Sequence, residues 1–228
     1  MISIIIPVYN EVSTINEIVN KIHLLKIDKE IIIIDDFSSD GTKNLLEKIK
    51  SDKIKIFYNE KNYGKGYCIR RGIQVASGNY VIIQDADLEY NPNEIYEFLE
   101  IFKKYDADVI YGSRFRGGKE TKVLFFWHTV GNKFLTFLSN CFTNLNLTDM
   151  EVCYKAFKSS IIKSIELKEN RFGFEPEVTA KISKLKDISI YEIGISYDGR
   201  TYKAGKKINW KDGFSAIRCI LKYNLFKN

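Results

Sequence analysis

Tyr80-Val81-Ile82-Ile83-Gln84-Asp85-Ala86-Asp87-Leu88-Glu89 decides how the rest of the chain is read. Four apolar or aromatic residues run into two aspartates one residue apart. A short apolar run of this kind is the pattern of a strand buried on both faces. Its carboxyl end then delivers the acidic side chains to a crevice. Alternate side chains of an extended chain share a side, so Asp85 and Asp87 point the same way. Two carboxylates on one side suit a hard divalent cation, Mg²⁺ or Mn²⁺, that keeps water and borrows substrate phosphates. A bare Asp-x-Asp also fits an ordinary acidic turn after a strand, so its surroundings have to decide.

Outward from that stretch, apolar runs and amphipathic segments alternate. Residues 2–8, 30–34, 54–58 and 108–112 read as further strands. Helices are expected from Ser13 to about residue 26, after Thr42 to about 50, from 66 to 76 and from Pro92 to about 105. Asn91-Pro92-Asn93-Glu94 has the form of a cap, a first-turn proline and a capping-box acid. Strand–helix alternation over residues 1–112 predicts an α/β fold with a doubly wound, mostly parallel, Rossmann-like sheet. Ligands of such sheets bind beyond the carboxyl ends of the strands. Three of those ends carry Tyr9-Asn10-Glu11, Asp35-Asp36 and Asp85-Ala86-Asp87. An isolated acidic turn does not predict that convergence.

Beyond residue 112 the chain carries a basic, glycine-rich loop (Ser113 to Lys119) and a long aromatic helix over 123–143. A strand over 154–157, a helix over 174–185 and a strand over 189–195 follow. A second basic loop holds Arg200, Lys206 and Lys207, and Asn209 precedes a last amphipathic helix to about 226. No linker or repeat interrupts the 228 residues, which read as one domain with a C-terminal elaboration. Composition is that of an ordinary globular protein, 45% hydrophobic and 28% charged. The net charge of +6 suits phosphate-bearing ligands or an anionic membrane. The basic residues form no stripe with interleaved aromatics, which argues against nucleic acid. Four scattered cysteines without a Cys-x-x-Cys pair indicate a reducing compartment, and no apolar run reaches membrane-spanning length.

Five stretches in order resemble glycosyltransferase family 2, within it the dolichyl-phosphate mannose synthase-like branch. They are Ile5-Ile6-Pro7-Val8-Tyr9-Asn10-Glu11, Ile34-Asp35-Asp36-Phe37-Ser38-Ser39-Asp40-Gly41-Thr42, Asn62-Tyr63-Gly64-Lys65-Gly66, Gln84-Asp85-Ala86-Asp87-Leu88 and Tyr111-Gly112-Ser113-Arg114-Phe115. Residues 146–151 and 199–202 extend the likeness. The resemblance implies a GT-A fold, a nucleotide-diphosphate sugar donor, a divalent metal and inversion at the anomeric carbon. It makes residues 1–112 the nucleotide-sugar half and 113–228 the acceptor half. Pro7, Tyr9 and Glu11 would shape the nucleoside pocket, and Asp35 or Asp36 would accept a hydrogen bond from the base. Asp85, Ala86 and Asp87 would hold metal and diphosphate, with Glu89 a third ligand or an orienting neighbour.

Arg114, Lys65, Arg200, Lys206 and Lys207 are the candidate phosphate-side cations; the bland alternative for each is a solvated or turn-forming charge. The branch uses a polyprenyl phosphate acceptor, already largely ionised at neutral pH, so cationic positioning suffices for it. A sugar hydroxyl acceptor needs a general base, for which Asp149 is the candidate. The resemblance favours GDP-mannose, with a UDP-sugar possible, and a peripheral enzyme at the cytoplasmic face of the membrane. The aromatics at Phe125, Phe126, Trp127, Phe134, Phe137 and Phe142 fit a lipid-facing surface or a core face equally well. Two other readings stay open: a family 2 transferase acting on a glycan hydroxyl, and a silent nucleotide-sugar or lipid-binding module.

Overall fold

β1 (Ile2–Val8) and β2 (Lys29–Asp35) are the first two strands of a seven-stranded sheet, and their isoleucines have almost no exposed surface. Ile4 pairs with Ile31, and Ile5 with Ile32, in parallel register. β-Branched side chains fit a pleated surface covered on both faces, and each buried isoleucine contributes about 1.5–3 kcal/mol. β3 (Ile54–Tyr58), β4 (Tyr80–Ile83), β5 (Val109–Ser113), β6 (Lys155–Lys158) and β7 (Ile190–Gly194) complete the order β3-β2-β1-β4-β6-β5-β7. The computed structural model describes residues 1–123, 125–201 and 210–226, without the side chains of residues 210 and 211. Lys206 and Lys207 lie outside the described residues.

Helices α1 (Ile15–Leu24), α2 (Thr42–Leu46), α3 (Lys65–Val75) and α4 (Ile95–Tyr105) connect the first five strands. α5 (Phe126–Thr143), α6 (Ser159–Ser164), α7 (Phe174–Ile182) and α8 (Trp210–Leu225) belong to the second half. α5, α7 and α8 pack on one another. α8 buries Ala216, Cys219, Ile220 and Tyr223, so most of its apolar stripe is core.

Sheet polarity positions the site. Going from β1, the chain adds β2 and β3 on one side and β4 on the other, which makes β1/β4 the topological switch point. β6 enters antiparallel between β4 and β5, pairing Ile82 with Ala156 and Tyr80 with Lys158. An antiparallel strand begins where its neighbour ends. The loop before β6, which carries Asp149, Glu151 and Cys153, is therefore set beside Asp85.

Local chemistry departs from expectation in three places. Thr14, not Ser13, caps α1, and its hydroxyl bonds Glu11 rather than a helix amide. Asn91 does cap the turn at Pro92–Glu94, accepting from the Asn93 amide at 3.1 Å. Glu94, however, reaches the Ser196 amide at 2.8 Å and Lys119 at 3.1 Å instead of closing a capping box. The short α6 has too little periodicity to announce itself.

Candidate active site

A cleft of about 800 Å³ opens at the carboxyl ends of β1 and β4. Pro7, Tyr9, Glu11, Asp36, Lys65, Asp85, Ala86, Asp87, Glu89, Arg114 and Arg200 all line it. Eleven positions singled out from the sequence thus share one cavity. Asp35 and Asp149 are not in its wall.

The loops around the cleft are tied by short polar side chains. Ser38 accepts from the Asn10 amide (2.9 Å), Thr42 from Glu11 (2.9 Å) and Asp40 from Val12 (3.0 Å). The Asp35–Thr42 motif therefore fixes the loop that presents Tyr9 and Glu11. Asp36 accepts from Asn59 Nδ2 (2.7 Å), the Tyr63 amide (2.9 Å) and the Gly64 amide (2.7 Å). Asp35 is buried and accepts from Ser38 N, while its Oδ1 has no hydrogen-bond partner. Gly64, at φ +100°, lets the chain turn into α3 against residue 170, where a Cβ would strike the Asn170 carbonyl. That turn aims Lys65 back into the cleft.

Three carboxylates meet one arginine at the cleft mouth. Arg200 pairs with Glu11 through both terminal nitrogens (3.0 and 3.1 Å) and with Asp87 at 3.0 Å. Its Nε stands 3.7 Å from Glu89. Glu89 accepts from the Arg200 amide (2.6 Å) and the Tyr197 hydroxyl (2.9 Å), so it fastens the 197–200 segment over the site. Burial, then the negative neighbours Asp85 and Glu89, push the Asp87 carboxyl up to about 7 against the pull of Arg200. Such a group calls for a cation. The oxygens gathered on Arg200 are hard donors of the type Mg²⁺ and Mn²⁺ take. Among the described residues, no set of three or more His, Cys, Asp or Glu groups is spaced to hold an ion alone.

Asp85 lines the same cleft but is held by different partners. Lys65 Nζ is 2.9 Å from its Oδ1, and the Cys153 thiol donates to the same oxygen at 3.1 Å. Lys65 also stands 3.8 Å from Glu175.

Arg114 and Asp149 form a closed pair. The Arg114 amide (3.0 Å) and Nε (2.7 Å) donate to Asp149 Oδ2, and Nη2 to Oδ1 (2.7 Å). Asp149 is fully buried, and the amides at Thr148 and Asp149 are held by Glu192 of β7. Both carboxylate oxygens are engaged and none faces the cleft. That is the geometry of a residue positioning Arg114, not of a base reaching an acceptor hydroxyl. Of the other loop charges, Arg116 is exposed and 3.8 Å from Glu192, and Lys119 is bound to Glu94 and Glu97.

Sequence reading missed Glu151, Cys153, Glu175 and Tyr197 as cleft residues. Glu175 looks like a favourable acid in a helix first turn, and Cys153 like core. The antiparallel entry of β6 brings Cys153 to Asp85, and the packing of residues 169–171 on the start of α3 brings Glu175 there. The aromatics of α5 are resolved in favour of the surface: Phe126, Trp127 and Phe137 are 69%, 77% and 66% exposed. Leu135, Thr136 and Ser139 make its buried face. No described helix is long and apolar enough to cross a membrane.

The chain is 28% identical over 235 residues to a dolichol-phosphate mannosyltransferase of Pyrococcus furiosus, covering 99% of this chain and 64% of that protein. It is 26% identical to a UDP-N-acetylglucosamine–dolichyl-phosphate N-acetylglucosaminyltransferase of Methanococcus voltae, covering 100% and 97%. A dodecaprenyl-phosphate galacturonate synthase of Rhizobium johnstonii is 23% identical over 90% of this chain and 61% of its own. The chain thus spans less than two thirds of two of these relatives. Glucosyl-3-phosphoglycerate synthase of Mycobacterium tuberculosis, solved with Mn²⁺, UDP and phosphoglyceric acid, superimposes with a TM-score of 0.77. At 16% identity, over 100% of this chain and 80% of that one, it shows the shared GT-A fold. Residues 3–166 match the model of glycosyl transferase family 2, and the chain belongs to that family of glycosyltransferases.

Proposed function

We propose that the chain is an inverting, metal-dependent hexosyltransferase that moves a sugar from a nucleotide diphosphate onto a polyprenyl phosphate. The carrying observation is the cluster of Glu11, Asp87 and Glu89 around Arg200 at the switch point of the sheet. Asp85 and Asp87 are the residues that would hold Mg²⁺ or Mn²⁺, which neutralises the charge developing on the leaving diphosphate. Glu89 keeps the 197–200 segment in place, and Arg200 stands where it can meet the donor phosphates. Pro7, Tyr9 and Asp36 lie along the cleft wall on the nucleoside side. The mycobacterial structural neighbour, solved with Mn²⁺ or Mg²⁺ and UDP, supports a metal at this end.

The acceptor reading rests on two features. Asp149, the base expected for a hydroxyl acceptor, is closed on Arg114 instead of turned to the cleft, and a phosphate monoester acceptor needs no base. The exposed aromatics of α5 adjoin the cleft, since Trp127 and His128 line it. No Asp or Glu occurs between Glu120 and Asp149, a composition suited to an anionic membrane. The enzyme would then act peripherally at the cytoplasmic face, drawing its lipid acceptor in beside α5.

GDP-mannose is the favoured donor, in keeping with the Pyrococcus relative. A UDP-sugar is the second reading, favoured by the Methanococcus relative, which this chain matches almost end to end. The test is transfer from labelled GDP-mannose and UDP-sugars, with Mn²⁺, to a polyprenyl phosphate in detergent. A lipid-linked product labile to mild acid is expected. Transfer only to a glycan hydroxyl, or nucleotide-sugar binding without turnover on any acceptor, would overturn the proposal.

A further inference from the structure

Two carboxylates in the cleft have no task in the scheme above. Glu175 lies in the first turn of α7 and is 3% exposed, yet it lines the cleft. Its Oε2 has no hydrogen-bond partner. Glu151, in the loop before β6, also lines the cleft, and its Oε1 is likewise buried without a partner. The two are electrostatic neighbours: burial first, then Glu175, drive the Glu151 carboxyl upward. The nearest cation to Glu175, Lys65, stands 3.8 Å away and is shared with Asp85 at 2.9 Å.

A buried carboxyl oxygen without a donor costs free energy that an incoming hydrogen-bond donor recovers. An acid placed only to complement a helix dipole would sit at a solvated end, not inside a cavity. The pair adjoins Asp85 through Lys65, so it lies next to the diphosphate end proposed above. Lys155 and Arg114 also face Glu151, but their donors are spent on the Met150 and Val152 carbonyls and on Asp149, so an added phosphate or carboxylate gains little here. Hydroxyl and amide groups, which donate without adding negative charge, are what these oxygens accept.

We propose that Glu151 and Glu175 form the sugar subsite of the cleft, accepting hydrogen bonds from the donor's hydroxyls and selecting a neutral hexose over a uronic acid. This rests on the donor reading of the preceding section. The antiparallel run of β6 and the close approach of Gly64 to residue 170 bring the two acids together from distant parts of the chain. The nucleoside and phosphates would be held by other residues, so the subsite is separable by experiment.

The experiment is calorimetric titration of the full chain with Mn²⁺ present, using GDP, GDP-mannose, UDP, UDP-glucose and UDP-glucuronate. A neutral sugar nucleotide should bind wild type about tenfold more tightly than its bare diphosphate, the increment one or two good hydrogen bonds supply. UDP-glucuronate should show no such gain. Glu151→Ala should lose the gain while leaving the diphosphate affinity within about twofold. Glu175→Gln, which keeps the shape and removes the charge, should admit the glucuronate; melting curves check that both variants fold. A gain untouched by Glu151→Ala and Glu175→Gln, or an equal loss of diphosphate and sugar nucleotide, overturns the subsite. A wild-type chain that binds none of the five ligands overturns the donor reading itself, a result distinguishable from the other two.

Discussion

Arg114 and Arg200 both sit on carboxylates at the cleft, but one faces a single acid and the other three. Arg114 and Asp149 balance each other through three hydrogen bonds in a nearly dry setting, with side-chain exposures of 12% and 0%. Arg200 is shared among Glu11, Asp87 and Glu89 and stays partly open. A matched buried pair is a fixed part of the scaffold. Arg200 instead gathers carboxylates from three different loops, so among the described residues it joins the parts of the cleft where the proposed metal and diphosphate would meet. The setting of each arginine therefore separates a positioning pair from a working one when both look like salt bridges.

Asp87→Ala tests the working side, with the largest expected effect. Transfer should fall by about 10³-fold or more, the scale seen when a group stabilising developing charge is removed. The melting temperature should hold or rise, because a carboxyl raised to about 7 by burial and like charges is a burden on the empty fold. Retained turnover in metal-dependent assays would end the comparison as drawn. Asp149→Ala probes the matched side. It leaves Arg114 buried without a partner, at a cost of roughly 3–5 kcal/mol. Thermal unfolding should then shift down by on the order of 10 °C. Arg200→Ala should shift it far less, while Mn²⁺ should stabilise this variant more than wild type. Equal destabilisation by the two substitutions would show that both pairs are scaffold.

How much of this was legible in the sequence follows the same division. The strands β1, β2 and β4 announce themselves because buried strands are written as runs of isoleucine, valine and aromatic residues, and β3, a half-buried edge strand, still shows its alternating apolar side chains. Loop motifs at their ends then had one place to go. The acids at Glu11, Asp36, Asp85 and Asp87 were gathered correctly for that reason. Partnership was not legible. Nothing in Ser113-Arg114 says that its fork closes on a residue 35 positions later, so Asp149 read as a candidate base. Glu151 depends on β6 running antiparallel and Glu175 on the 169–171 loop meeting the start of α3, neither of which a local pattern encodes. The aromatics of α5 had helical spacing either way; only the packing of α5 on α7 and α8 fixes which face turns outward. On α8, Ala216, Cys219, Ile220 and Tyr223 turn inward while Phe214 and Leu225 stay exposed.

A second matched acid, outside the cleft, extends the contrast to pH with the smallest effect. Glu30 accepts from Ser3 (2.6 Å), Lys55 (2.7 Å) and the Ser77 amide (2.6 Å), joining β1, β2, β3 and the turn before β4. Burial alone would raise its carboxyl, but those bonds outweigh it and hold the group at about 2, where Asp87 stands near 7. The signs are opposite. A carboxyl depressed by folding contributes stability above its unfolded value of about 4.5, and the contribution fades as pH falls toward 2. A carboxyl raised by folding instead loses its penalty as pH falls below 7. In Glu30→Gln the unfolding free energy at pH 7 should lie below wild type by on the order of 1–2 kcal/mol after allowance for solvent screening, read as a lower melting temperature. That gap should narrow steadily between pH 4.5 and 2.5 as the wild-type carboxylate takes up its proton. In Asp87→Asn the difference should run the other way, with the variant gaining most above pH 7 and converging on wild type only as pH falls to about 3.8. Parallel curves for wild type and both variants would mean that neither carboxyl feels its charged neighbours.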